Sequence, residues 1–132
     1  MRVLIMLILP VLISCNQEKV ITNKSIGAYE LNKKMVNTDY DRSVIDIIVN
    51  KEEIISCIST KSTDFKTLEG FGVGSTFEDI KKGKKKWIVE ETGMRKGSIQ
   101  IGKSGSVLIY DGIDFFDINK NGVVDFISID NY

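Results

Sequence analysis

Two thiols and one acidic loop are the features of this chain whose chemistry could be put to use. Asp117, Asn119, Asn121 and Asp125 set side-chain oxygens at positions 1, 3, 5 and 9 of a segment with Gly122 at position 6, the spacing with which calcium loops surround a hard cation. Ser128 stands where the bidentate Glu of a regular EF-hand would close the site. The same residues also suit a plain hairpin turn, which is the favoured expectation, with calcium as the alternative. Cys57 lies in the apolar run Ile54-Ile55-Ser56-Cys57-Ile58-Ser59. A reactive thiolate needs an electropositive, accessible setting and usually a base, and the chain has no histidine. Cys57 is therefore expected to be a small buried hydrophobe. Ser-His-Asp hydrolysis, His-based zinc sites and ordinary His acid–base catalysis are excluded with it. No catalytic residue and no cofactor is assigned, and the expectation is that the protein is not an enzyme.

The second thiol, Cys15, belongs to a different chemistry. Arg2 gives a short positive start, Val3 to Ile13 form an apolar stretch broken only by Pro10, and Leu12-Ile13-Ser14 leads into Cys15. About 11 apolar residues fall short of the ~20 that cross a bilayer, while charge, apolar run and small residue fit an export signal. The ending resembles a bacterial lipobox, which implies cleavage before Cys15 and a diacylglycerol on its sulfur. Several acyl chains on one residue make a lasting anchor where one does not. Residues 1–14 are thus read as signal peptide, 15–25 as a lipidated polar tether, and 26–132 as one folded domain. The expected location is a cell membrane or outer membrane, lipid-anchored and facing the periplasm or the exterior. Asn16 favours the outer membrane, since inner-membrane retention resembles an Asp at that place.

Composition narrows the partners. The 132 residues carry 18 Lys+Arg and 18 Asp+Glu, a balance that does not point to nucleic acid. Removing residues 1–14 from the 132 leaves 118, enough for one domain with an adequate core and no disulfide. With Cys15 acylated, Cys57 has no partner for a disulfide.

These residues must be held by some scaffold, and the patterning predicts a sheet. Val44–Val49 and Ile54–Thr60 are rich in β-branched residues around the polar link Asn50-Lys51-Glu52-Glu53, the signature of a hairpin. Lys86–Glu90, Ser98–Gly102 and Val107–Tyr110 read as further strands. Gly112–Ile118 and Val123–Ile129 read as a closing hairpin turning at Asn121-Gly122. One helix start is well specified: Ser75-Thr76-Phe77-Glu78 forms a capping box, with Lys81, Lys82 and Lys84 suiting the far end and Gly83 stopping it. The sum is an α+β protein in which an antiparallel sheet carries one or two short helices. Ile26–Leu31 and Phe71–Thr76 hint at a loose repeat, each a Gly-containing approach to a helix or loop.

The segment Phe65 to Lys82, with Gly70-Phe71-Gly72-Val73-Gly74-Ser75-Thr76 at its centre, resembles a motif of small bacterial lipoproteins, and Gly112 to Ile129 is similar to their final hairpin. The resemblance implies a helix packed on an antiparallel sheet, as in β-lactamase-inhibitor-like and outer-membrane assembly lipoprotein folds. It implies binding of other proteins and brings no catalytic residues. The glycine-rich stretch lacks the Gly-Lys-Ser/Thr ending of a P-loop, so a turn leading into a capped helix is expected there.

Lys81-Lys82-Gly83-Lys84-Lys85-Lys86 suits either a solvated helix end or a surface for anionic headgroups, cell-wall polymer or an acidic protein. The acids Asp111, Asp114, Asp117, Asp125 and Asp130 could face it. Trp87 and Tyr110 are expected in the sheet core. The leading expectation is a membrane-anchored, non-catalytic module of inhibitor or immunity type that binds another envelope or secreted protein. An envelope assembly factor contacting outer membrane or cell wall, and a calcium-stabilised surface module, are the alternatives.

Overall fold

The computed structural model describes residues 19–35, 40–90 and 105–131. The signal segment 1–14, Cys15 and the expected strand Ser98–Gly102 lie outside these residues. Among them, no helix is long and apolar enough to cross a membrane.

Two short strands, β1 (Ser25–Ile26) and β2 (Tyr29–Glu30), pair antiparallel around Gly27. A six-stranded antiparallel sheet follows, made of β3 (Ile45–Val49), β4 (Ile55–Thr60), β5 (Trp87–Glu90), β6 (Ser106–Tyr110), β7 (Ile113–Asp117) and β8 (Phe126–Asp130), in the spatial order β3-β4-β8-β7-β6-β5. One helix, α1 (Phe77–Lys81), lies in sequence between β4 and β5. The molecule is thus mostly antiparallel sheet with a single five-residue helix among the described residues, lighter in helix than the sequence suggests.

The β3–β4 hairpin forms as its β-branched arms predict. Asn50 Oδ1 accepts from the amides of Glu52 and Ile54 at 2.9 and 3.0 Å, and Glu53 takes a positive φ of 65° to close the link. The β6–β7 turn is tighter. Asp111 and Gly112 have φ of 52° and 77°, a two-residue turn whose backbone twist matches the strands.

The closing hairpin departs from expectation, since β7 and β8 are joined by the link 118–125 and not by the shorter link Asn119-Lys120-Asn121-Gly122. Val123 and Val124, expected in the strand, are drawn away from β7. Gly74 N donates to Val124 O and Val124 N to Ser75 O, both at 2.8 Å, and Phe77 N donates to Gly122 O at 2.9 Å. Those bonds tie the start of α1 to the strand β8 that follows, so β8 begins only at Phe126.

The core lies mainly on one face of the sheet. Ile45, Ile47, Ile58, Leu108, Tyr110, Phe115, Ile127 and Ile129 from the strands meet Phe77 and Ile80 of α1 and Ile26 of β1. A smaller cluster, Val107, Phe116 and Phe126, fills the opposite side, with the two rings 5.5 Å apart. Strands β4 and β7 are buried along their whole length, which favours β-branched and aromatic residues without strict alternation. Ile21 is 1% exposed and its amide donates to Lys66 O at 2.9 Å. Residues 20–22, expected in the tether, therefore bond and pack with the body. The proposed repeat is not structural either: Ile26–Leu31 forms the β1–β2 turn, whereas Phe71–Thr76 leads into α1.

Candidate functional site

The segment before α1 is built from side-chain caps. Thr67 Oγ1 accepts from Phe71 N at 3.1 Å and Thr67 O from Gly70 N at 2.9 Å, pinching residues 67–71 into a small protruding loop. Gly70 and Gly74 sit at φ of 91° and 96°, a region glycine enters without steric cost. Thr76, not Ser75, caps the helix. Its hydroxyl accepts from Asp79 N at 3.1 Å, while Ser75 Oγ is taken by the amide of Gly72 at 2.9 Å. The expected box is therefore shifted by one residue, with Asp79 in the place assigned to Glu78.

The loop reaches across to the sheet. Tyr110 Oη on β6 lies 2.7 and 2.8 Å from the two carboxylate oxygens of Glu69 and accepts from Lys85 N at 3.1 Å. The Phe71 ring meets Tyr110 edge-on at 5.5 Å. Burial, and then the Glu69 carboxylate that the phenol donates to, push the Tyr110 hydroxyl above its ordinary value. Gly83 is required here for a different reason than ending a helix: a Cβ at that position would collide with Tyr110 Oη.

Around this contact the surface is concave. A cavity of about 400 Å³ is lined by Leu68, Glu69, Lys84, Lys85 and Asp111, with the buried Ile21 and Ile113 beside them. A second hollow of about 590 Å³ continues from Lys85 and Asp111 to Lys86, Trp87 and Ile88. Leu68 is 88% exposed, Trp87 44% and Ile88 56%. Trp87 is thus a surface residue, contrary to the core position expected of it. It lies at the start of β5, an end strand of the sheet among the described residues, and Lys81 Nζ sits 5.0 Å from its ring centroid. Tyr110, by contrast, is in the core as expected.

The lysine run divides. Lys81 and Lys82 pair with Glu78 and Asp79 at 3.9 Å along the helix; such exposed pairs contribute little to stability. Lys84, Lys85 and Lys86 are exposed and form no ion pair among the described residues. Of the acids expected to oppose them, Asp111 shares their cavity, whereas Asp114 and Asp117 are buried.

In the acidic loop, the carboxylates point inward. Asp117 Oδ1 accepts from Asn121 N at 3.1 Å and Oδ2 from Gly122 N at 2.6 Å. Asp125 accepts from the amides of Ile118 and Asn119 and from Asn119 Nδ2, and Asn121 Oδ1 from Val123 N at 3.1 Å. Each of these side-chain oxygens thus accepts from the loop's own amides and closes it. Among the described residues, no group of three His, Cys, Asp or Glu side chains is arranged to hold a metal.

Cys57 is buried, as predicted, 3.4 Å from Ser128 Oγ. It lies beside a polar row that runs across the sheet in register, Asp46–Ser59–Ser128–Asp114. Burial pushes the Cys57 thiol up, and Asp130, Asp114 and Asp46 add to the rise against the opposing Ser128 hydrogen bond. This is the reverse of what a nucleophile requires.

Sequence reasoning brought Tyr110 and the lysines to attention but not Leu68 and Glu69, whose place depends on a contact 41 residues away along the chain. Comparison of the chain with protein-family models, with curated proteins and with solved structures finds no match.

Proposed function

We propose that this protein is a lipid-anchored, non-catalytic module of the bacterial cell envelope that binds another protein, as an inhibitor or immunity factor does. The observation that carries this reading is the concave strip in which exposed Leu68, Trp87 and Ile88 lie among Lys84, Lys85 and Lys86. Aromatic side chains with one wet and one apolar side are typical anchors of protein interfaces. The apolar leader ending in Ser14-Cys15 supports the anchor, and the resemblance of Phe65–Lys82 to small lipoproteins with a helix-on-sheet domain supports the class.

Two measurements test it in the producing cell. A fatty-acid probe should label the protein and fail to label Cys15→Ser. Cross-linking from membranes should recover one defined protein with the native chain and lose it with Ile88→Asp, which alters only an exposed side chain. A soluble, unlabelled full-length product, or a cross-linked set unchanged by Ile88→Asp, overturns the proposal. A second reading, an envelope assembly factor held against the outer membrane or cell wall, draws on the same exposed lysines and would show anionic polymer or lipid as the cross-linked species.

A further inference from the structure

We infer that the two joined hollows form a groove for an extended, acidic segment of a partner protein, one that sets an apolar side chain between carboxylates. This rests on the protein-binding reading above and adds the chemistry of the partner.

Charge supplies the first part of the argument. Lys84, Lys85 and Lys86 are free of ion pairs among the described residues, and the carboxylates nearest them in the groove are Asp111 and Glu69. The Tyr110 hydroxyl on Glu69 is neutral and leaves its charge in place, so three lysines stand against two carboxylates. The groove therefore keeps a surplus of positive charge in need of an anionic complement, which governs partner choice and encounter rate.

Shape supplies the second. The hollows share Lys85 and Asp111 and so run on from one another, a form that fits a chain segment lying along it. Its accessible apolar side chains are Leu68 in the first hollow and Trp87 and Ile88 in the second, so the segment needs an apolar side chain as well as acids.

Trp87 is the single tryptophan of the chain, so its emission reports directly on the groove. The full chain is placed in phosphatidylcholine vesicles and titrated with three probes: a peptide alternating Glu with Leu, the same peptide with Lys for Glu, and separate phosphatidylglycerol vesicles. The acidic peptide should shift the emission to shorter wavelength and saturate. Its apparent Kd should rise about tenfold in Lys85→Glu, as when a close attractive charge pair becomes repulsive, and should rise with salt. An unchanged thermal midpoint in Lys85→Glu verifies that the fold is intact. If the basic peptide binds equally well, or Lys85→Glu has no effect, the acidic assignment is wrong while the protein-binding reading stands. If only the anionic vesicles shift Trp87, both fail. No shift with any probe at millimolar concentration overturns the inference.

Discussion

Tyr110 and Glu69 are joined by a hydroxyl that lies within 2.8 Å of both carboxylate oxygens. This contact fastens the loop 67–71 to the sheet and shapes one wall of the groove. Tyr110→Phe keeps the ring and deletes the bond, leaving the amide of Lys85 without its acceptor. The expected cost is about 1.5 kcal/mol, the low end for a bond to a charged group because Glu69 is solvated. Thermal unfolding measures it, and faster proteolysis at residues 67–71 would locate it. The same contact fixes a pH response. Because the folded state holds the phenol's proton more tightly than the unfolded chain, the stability Tyr110 contributes is complete below its ordinary value of about 10. It is lost as pH rises through the elevated one, and Tyr110→Phe should flatten that part of the alkaline decline.

Gly83→Ala places a methyl group against Tyr110 Oη. The ring is buried and cannot swing away, so overpacking should cost about 1–3 kcal/mol. Combined with Tyr110→Phe, which removes the offending oxygen, the loss should be less than the sum of the two single changes. A double-mutant cycle by urea unfolding reads this directly.

Cys57 should resist alkylation in the native protein and react once the chain is unfolded in denaturant. Burial and three neighbouring carboxylates hold its proton. The stability that this provides is full below the ordinary thiol value of about 8.5 and falls as pH rises through the raised value. Rapid native-state labelling at pH 8 would show that the sheet face opens.

Asp117 and Asp125 should behave as loop closures. Asp117→Ala leaves the amides of Asn121 and Gly122 unpaired and should cost about 1–3 kcal/mol. Asp125→Ala should cost less, because the carboxylate it removes is only half-buried. Millimolar calcium should leave the thermal midpoint of the native protein unchanged. A rise would mean that the ion displaces those amides and stabilises the fold by mass action.

Much of the sheet is legible in the sequence because a β-branched run reports its own burial. Ile45–Val49, Ile55–Thr60 and the burial of Cys57 follow from that alone. Where competing local solutions exist, the sequence does not choose between them. Ser75 and Thr76 both fit an N-cap, and the amide of Gly72, by claiming Ser75 Oγ, decides the matter. Asp111-Gly112 and Asn121-Gly122 both fit a tight turn. Only the first makes one, since Asp117 and Asp125 hold the second open. The groove is the least legible part. Glu69 and Leu68 look like ordinary loop residues until long-range packing brings them beside Tyr110, and Trp87 looks like a core residue until its side chain proves to be 44% exposed.

The position of β8 has a temporal consequence. Among the described residues it is the last strand in sequence, yet it lies between β4 and β7 in the middle of the sheet. A polypeptide delivered amino end first, by ribosome or by translocon, therefore cannot join its early hairpin to its later meander until residues 126–130 have emerged. Such late closure makes the release of these residues the step on which the whole sheet waits.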